Sequence, residues 1–220
     1  MKLNSEAIAR AGLRLLDENG LDGLTMRALA KDLGVQAPTL YWHVKNKQQL
    51  LDAMADIVMS ETIETIEAPR RGVDWSEWLT ALCHRQRAAM LAHRDGAKML
   101  AGTNSTHPSL GRLLELTLTT LQDAGFPIPA AAQAFSTLYS FTVGYVIEEQ
   151  SRTGEAYGDD NPYTPEKLAA LIDSSRYPLA AQSIPHLFDV DSDAGFDNGI
   201  ALIIDGMRAQ QSRSSAAELP

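Results

Sequence analysis

The chain has 220 residues, 45% of them apolar, and a formal net charge of −9, enough for one large or two small domains with a proper core. No stretch approaches the ~20 apolar residues that span a bilayer and the N-terminus does not read as a signal peptide, so a cytoplasmic protein with no membrane partner is expected. The single cysteine, Cys83, excludes an internal disulfide or a cysteine-based zinc site and reads as a small core residue.

Charge is distributed unevenly. Residues 1–50 hold seven Lys/Arg and five Asp/Glu, a net of +2, which leaves −11 for the remainder. Only the N-terminal fifty residues could approach a polyanion, and so few basic groups argue against a nonspecific nucleic-acid binder.

Asn4 is the candidate N-cap of a first helix whose apolar set is Ile8, Ala11, Leu15 and Leu16 and which Asn19-Gly20 ends,. Leu21 and Leu24 then plug the core of a three-helix unit, with Asp22-Gly23 making the turn,. Thr25 caps a short second helix with Met26, Leu29, Ala30 and Leu33 on one face,. Gly34 supplies the positive φ that ends it, and Val35 closes a turn of helix-turn-helix length. Gln36, Ala37, Pro38 and Thr39 open the third helix, with Pro38 where a missing N–H costs nothing. Leu40 and Val44 form its buried edge, which leaves Gln36, Ala37, Thr39, Tyr41, Trp42 and His43 facing outward. Such a surface suits the major groove of B-DNA, about 12 Å wide: Gln bonds base edges, an Ala or Thr methyl meets thymine, and Tyr41, His43 and Lys47 reach phosphates. An ordinary helical hairpin with a polar surface is the alternative.

From Lys47 to about Ile66, Leu50, Leu51, Met54, Ile57 and Val58 mark a long helix leaving this unit. Residues 68–72, with Pro69, break it; Arg70-Arg71 reads as a solvated pair. Asp74 caps a helix with Trp75, Trp78, Leu79, Leu82, Cys83, Met90 and Leu91, ended by His93-Arg94-Asp95-Gly96. Pro108 opens a leucine-rich helix that Gly125 stops. The helix from Pro129 to about Thr153 is apolar on more than one face, as expected of one buried by its own core and by a second subunit. Residues 154–163 read as a mobile loop, 166–172 as a short helix and the stretch around Pro178 and Pro185 as irregular. A last helix runs from Phe196 to about Gln210, with Gly199 and Gly206 as gaps for close packing. The expected division is a helix-turn-helix domain over 1–46, a connecting helix over 47–67, a helical effector-binding and dimerisation domain over 68–211 and a disordered tail over 212–220.

The runs TMRALAKDLGVQAPTLYWHVKN (25–46), PTLYWHVKNKQQLLDAMA (38–55) and AHRDGAKMLAGT (92–103) resemble the TetR family of bacterial transcriptional regulators, closest to its tetracycline-repressor type. The resemblance implies an all-α fold whose third helix enters the major groove and whose connecting helix sets the separation of two reading heads. It also implies a homodimer joined through a four-helix bundle of the last and the preceding long helices. By matching position, Arg27, Gln36, Ala37, Pro38 and Thr39 face bases, while Thr25, Tyr41, His43 and Lys47 face phosphates; Trp42 completes the DNA-binding set. Ala37 stands where that type has Gln, so the operator differs. The implied partners are double-stranded operator DNA, a small-molecule effector and a second copy, with no cofactor.

The second domain suits an apolar pocket between helices, with Cys83, Gln86, Arg87, Met90, Leu100, Thr103, Leu113, Thr117, Phe135, Tyr139 and Thr142 as candidate effector-binding residues; most could equally be plain core. The tetracycline-repressor type binds a magnesium–drug chelate through a His where this chain has Leu100, and through polar side chains where it has Ile63, Leu82 and Thr117. Thr103 and Glu148 match positions around the metal, but leucine cannot ligate Mg²⁺. No protein metal site and a largely apolar, metal-independent effector are therefore expected. No catalytic residues are assigned: there is no glycine-rich phosphate loop, no nucleophile elbow and no metal-spaced histidine pair. His84, His93, His107 and His186 are scattered, and Glu148-Glu149 read as a solvated or dimer-facing pair. The function expected is a DNA-binding regulator, a repressor released by its effector. A ligand-sequestering protein or enzyme with a vestigial motif is the alternative.

Overall fold

The computed structural model describes residues 3–70, 73–103, 107–153, 160–188 and 192–217, and all regular structure among them is α-helical. The N-terminal unit starts with α1 (Ser5–Gly23), where the Asn4 side chain accepts the Ala7 N–H at 2.7 Å and relieves an unpaired first-turn donor,. Helical geometry fails at Gly20, whose φ of +69° a side chain would resist,. Two short helices follow, α2 (Met26–Asp32) and α3 (Ala37–Tyr41), and then the long α4 (Lys47–Glu64). Asn46 accepts the Gln49 N–H at 2.9 Å while Gln49 Oε1 accepts the Lys45 N–H at 2.9 Å, a reciprocal cap that fixes where α4 begins,. Ile8, Leu16, Leu24, Leu29, Leu40, Leu50 and Met54 are all 0% exposed and form one core; each contributes roughly 1.5–3 kcal/mol relative to exposure. Gly12 lets α1 approach the Met54 side chain closely.

Helix α4 belongs to both units, because its far half packs against α5 (Trp75–Leu91), α6 (Gly96–Leu100) and α7 (Ser109–Asp123). Helix α8 (Ile128–Thr153) lies against α5, α6, α7 and α11 (Ser192–Ala217). Short α9 (Pro165–Ala170) and α10 (Pro178–Leu187) pack on each other. A second set of contacts ties the units together at the corner between α5 and α6. There Asp17 accepts from His93 Nδ1 at 3.1 Å and from the Arg94 N–H at 3.2 Å, and Asp95 Oδ2 accepts the Leu21 N–H at 3.0 Å.

Three expectations need correction. The stretch around Pro178 and Pro185 is helical: Pro178 sits in the first turn, where its missing N–H is harmless, and Pro185 lies only two residues from the end of α10,. The tail continues α11 as far as Ala217, since no Gly or Pro interrupts the chain between Gly206 and Pro220; residues 218–220 lie outside the described residues. Glu149 is not solvated but 8% exposed and paired with Arg87. Most of the expected mobile loop, residues 154–159, lies outside the described residues. Helix α6 was not anticipated; it follows the left-handed Asp95 (φ +54°), which re-aims the chain after α5.

Candidate functional site

Two surfaces carry functional chemistry, and α4 connects them. In the first, Thr25 caps α2 by accepting the Ala28 N–H at 3.1 Å. Gly34, with φ +65°, turns the chain so that its N–H bonds Lys31 O at 3.2 Å and the Val35 N–H bonds Ala30 O at 3.0 Å,. Leu40 (0%) and Val44 (2%) anchor α3 from below. Their burial leaves Thr25, Arg27, Gln36, Pro38, Thr39, Tyr41, Trp42 and His43 exposed on one side, with Ala37 half-buried among them. Trp42 is 89% exposed, an unusual position for an indole without a binding role,. Lys47 is engaged instead in a bond from Nζ to Leu21 O at 2.9 Å, which braces α4 against the end of α1.

The second surface is internal. A cavity of about 200 Å³ is lined by Ala55 and Met59 of α4, Leu100, Thr103, Leu110, Leu113, Phe135 and Tyr139. Five of the predicted effector residues thus come together: Leu100, Thr103, Leu113, Phe135 and Tyr139. Sequence reasoning missed Ala55, Met59 and Leu110. Ala55 and Met59 are four apart on α4, so a second apolar stripe beside the one made by Leu50, Met54, Ile57 and Val58 was the available signal. The hydroxyls nearby are spent locally: Thr103 donates to Leu100 O at 2.7 Å, Thr117 to Leu113 O at 2.8 Å and Thr142 to Leu138 O at 2.8 Å.

Thr117 and Thr142 are buried on α7 and α8, and Cys83, Gln86 and Met90 on the neighbouring α5, without lining the cavity. Burial pushes the Cys83 thiol up to about 11, partly offset by a hydrogen bond with Thr142,. Burial likewise raises the Tyr139 phenol. Gln86 is 3% exposed and its Nε2 is the one buried side-chain polar atom among the described residues without a hydrogen-bond partner. An unsatisfied buried amide costs about 1–3 kcal/mol.

Arg87 lies elsewhere. Its guanidinium donates to both Glu149 oxygens at 2.6 and 2.8 Å, to Asp193 at 2.5 Å and to Ser192 Oγ at 3.1 Å, and sits 5.0 Å over the Phe196 ring. These partners, Glu149 first, hold it firmly protonated. Arg87 therefore joins α5 to α8 and α11 and does not face the cavity. The C-terminal carbonyls of α4 are gripped from the second unit: Arg112 donates to Glu64 O at 3.2 Å and Ile66 O at 2.8 Å, and Arg85 to Thr65 O at 2.8 Å. Cations at this end also oppose the helix dipole. His107 caps the start of α7 through Ser109, and His84 pairs with Asp197 at 2.7 Å; no group of three or more metal-ligating side chains occurs among the described residues. A magnesium chelate is a poor fit here, because Ile63 (1%), Leu82 (4%) and Leu100 (3%) are buried hydrocarbon and Thr117 spends its hydroxyl on its own helix,.

Comparison with known proteins bears on the whole chain. Residues 8–54 match the family described as bacterial regulatory proteins, tetR family, and residues 68–211 the tetracyclin repressor-like C-terminal domain. The tetracycline repressor protein class A from transposon 1721 of Escherichia coli is 39% identical over 206 residues, covering 94% of this chain and 91% of the repressor. Among solved structures, a possible TetR family transcriptional regulator from Streptomyces coelicolor A3(2) superposes with a TM-score of 0.84 at 38% identity, covering 94% of this chain and 99% of that one. The Streptomyces coelicolor TetR family protein ActR in complex with actinorhodin gives 0.80 at 29% identity, covering 94% and 96%. No helix among the described residues is long and apolar enough to cross a membrane.

Proposed function

The chain belongs to the TetR family of bacterial regulatory proteins and is a ligand-responsive transcriptional regulator, and on that premise we propose that it represses from a palindromic operator until an apolar, metal-independent effector enters its core. The observation that carries this reading is the exposed face of α3 and its flanks, Gln36 to His43, held on a rigid base by Leu40 and Val44. Gln36, Ala37, Pro38, Thr39 and Arg27 read base edges; Thr25, Tyr41, Trp42 and His43 meet the backbone, and Lys47 positions α4.

Two such faces spaced about 34–36 Å apart require a dimer. The exposed side of α8 and α11 supports one: Ser136, Ser140, Gly144, Ala201, Leu202 and Gly206 form a small-residue surface, and Leu202 is 67% exposed. Gly144 and Gly206 face open space in the single protomer, room for close approach of a second copy.

Helix α4 supplies the coupling. Ala55 and Met59 are part of the cavity wall, so an occupant pushes on the helix whose near end carries the reading unit. Arg85 and Arg112 hold its far end, so the displacement takes the form of a swing about that end. A differential of about 1–3 kcal/mol gives five- to 150-fold control. Leu100, Leu110, Leu113 and Phe135 favour hydrocarbon in the effector,. The enzymatic alternative has no support in the relatives, which are named as regulators.

The test is a gel shift with the DNA upstream of the chain's own gene, in competition with random duplex. Sequence-selective retardation by a dimer, released by a compound that also raises Tm, is expected. Equal affinity for random duplex, or no shift at low salt, overturns the proposal.

A further inference from the structure

A second, larger cavity lies apart from the one assigned to the effector. It occupies about 670 Å³ between the C-terminal turns of α8, the segment leading into α9, the end of α10 and the start of α11. That volume falls within the roughly 300–1,000 Å³ typical of small-molecule sites, whereas the α4-walled cavity falls below it. Its wall has a definite chemistry: the rings of Tyr145, Tyr163 and Phe188, the guanidinium of Arg152 and the carboxylates of Glu149 and Glu166.

The wall carries one guanidinium and two carboxylates. Glu149 already receives two bonds from Arg87, and Glu166 is exposed to solvent. Arg152 is half-buried, and among the described residues its guanidinium has neither a carboxylate nor a carbonyl partner; it stands 5.6 Å from the centroid of the Phe188 ring. Its backbone is fixed in place, because Asn161 Nδ2 donates to Arg152 O at 2.6 Å. A partly desolvated cation beside flat apolar rings is complementary to an anion carried on an aromatic plane.

We propose that this cavity is a second ligand site, for a planar aromatic carboxylate or a similar aromatic anion, with Arg152 as the anion-binding residue and Tyr163 and Phe188 as the ring-binding ones. The occupant also meets Glu149 and Ser192, two of the three residues that hold Arg87 on α5. The site is independent of operator binding and of the α4-walled cavity, so it stands or falls separately from the regulatory reading.

The probe is 1-naphthoate, titrated calorimetrically into the full-length protein, with 1-naphthalenemethanol as its neutral counterpart. In the unmodified protein naphthoate binds at least tenfold more tightly than the alcohol. Arg152→Gln weakens naphthoate by tenfold or more and abolishes the preference, Arg152→Lys restores part of it, and Leu113→Trp, which fills the other cavity, leaves naphthoate binding within twofold. Unchanged melting temperatures and helical circular dichroism certify that the variants are folded. The proposal is overturned by the absence of naphthoate binding up to millimolar concentrations, by equal affinity for acid and alcohol, by binding insensitive to Arg152→Gln, or by binding lost in Leu113→Trp and kept in Arg152→Gln.

Discussion

Replacing Arg87 by Met tests the energetic core of the second domain. Arg87 is 7% and Glu149 8% exposed, and the guanidinium gives both carboxylate oxygens a charge-assisted bond,. Removing one partner of a buried pair costs about 3–5 kcal/mol, because the other is left charged in a poor solvent. Glu149 also lines the 670 Å³ cavity, where water can rehydrate it, so the lower end, about 3 kcal/mol, is expected,. At this chain length that corresponds to a fall in Tm of about 6–12 °C. Glu149→Leu should cost less, about 1–2 kcal/mol, since Arg87 keeps Asp193 and Ser192,. The double variant Arg87→Met, Glu149→Leu should recover to within about 1 kcal/mol of the parent, as apolar replacements of buried pairs do. Urea denaturation followed by circular dichroism, at one protomer concentration throughout, reads all three. Strictly additive single effects, with a coupling energy under about 0.5 kcal/mol, would refute the claim that this pair acts as a unit.

Trp42→Ala should leave stability within about 0.5 kcal/mol, the side chain being 89% exposed,, and lower operator affinity by about tenfold in a gel shift; an unchanged shift removes Trp42 from the interface. Gln86→Met should stabilise the fold by about 1 kcal/mol in denaturation, because it removes the unpaired amide,; a loss of stability means that the amide has a bond in solution. For Cys83, a folded thiol raised to about 11 by burial binds more protons than the unfolded one, so its contribution is complete below the unfolded value of ~8.5 and is lost as pH rises toward the folded value. Stability should therefore decline between pH 8.5 and 11 by more in the parent than in Cys83→Ala, and parallel pH curves contradict the burial argument. Arg112→Gln loosens the clamp on α4 and should reduce the effector-induced change in operator affinity by about threefold or more; an unaltered ratio of affinities places the pivot elsewhere.

Much of the reading unit was legible in the chain before any coordinates, because its determinants are local. Asn4 and Thr25 cap helices within three residues, Gly20 and Gly34 need a positive φ for their turns, and Leu29, Leu40 and Leu50 mark one face each,. Helical periodicity also placed the main helices of the second domain. It failed where proline chemistry depends on position in the turn, as at Pro178 and Pro185, and where a tail of modest propensity simply continues α11,.

What periodicity could not give was which buried face meets which. Arg87 looked like a cavity residue on α5; its partners lie 62 and 106 residues away, and only the packing of α8 and α11 brings them to it. Ala55 and Met59 looked like ordinary helix residues until α4 was laid across α6, α7 and α8 as a cavity wall. The cavity at Arg152 is assembled from four separate elements with no shared motif. Capping, turns and amphipathic faces are settled within one or two helical turns, and those the sequence determined by itself. Long-range pairings depend on how rigid helices pack to exclude water and void, and that was decided only by the tertiary structure.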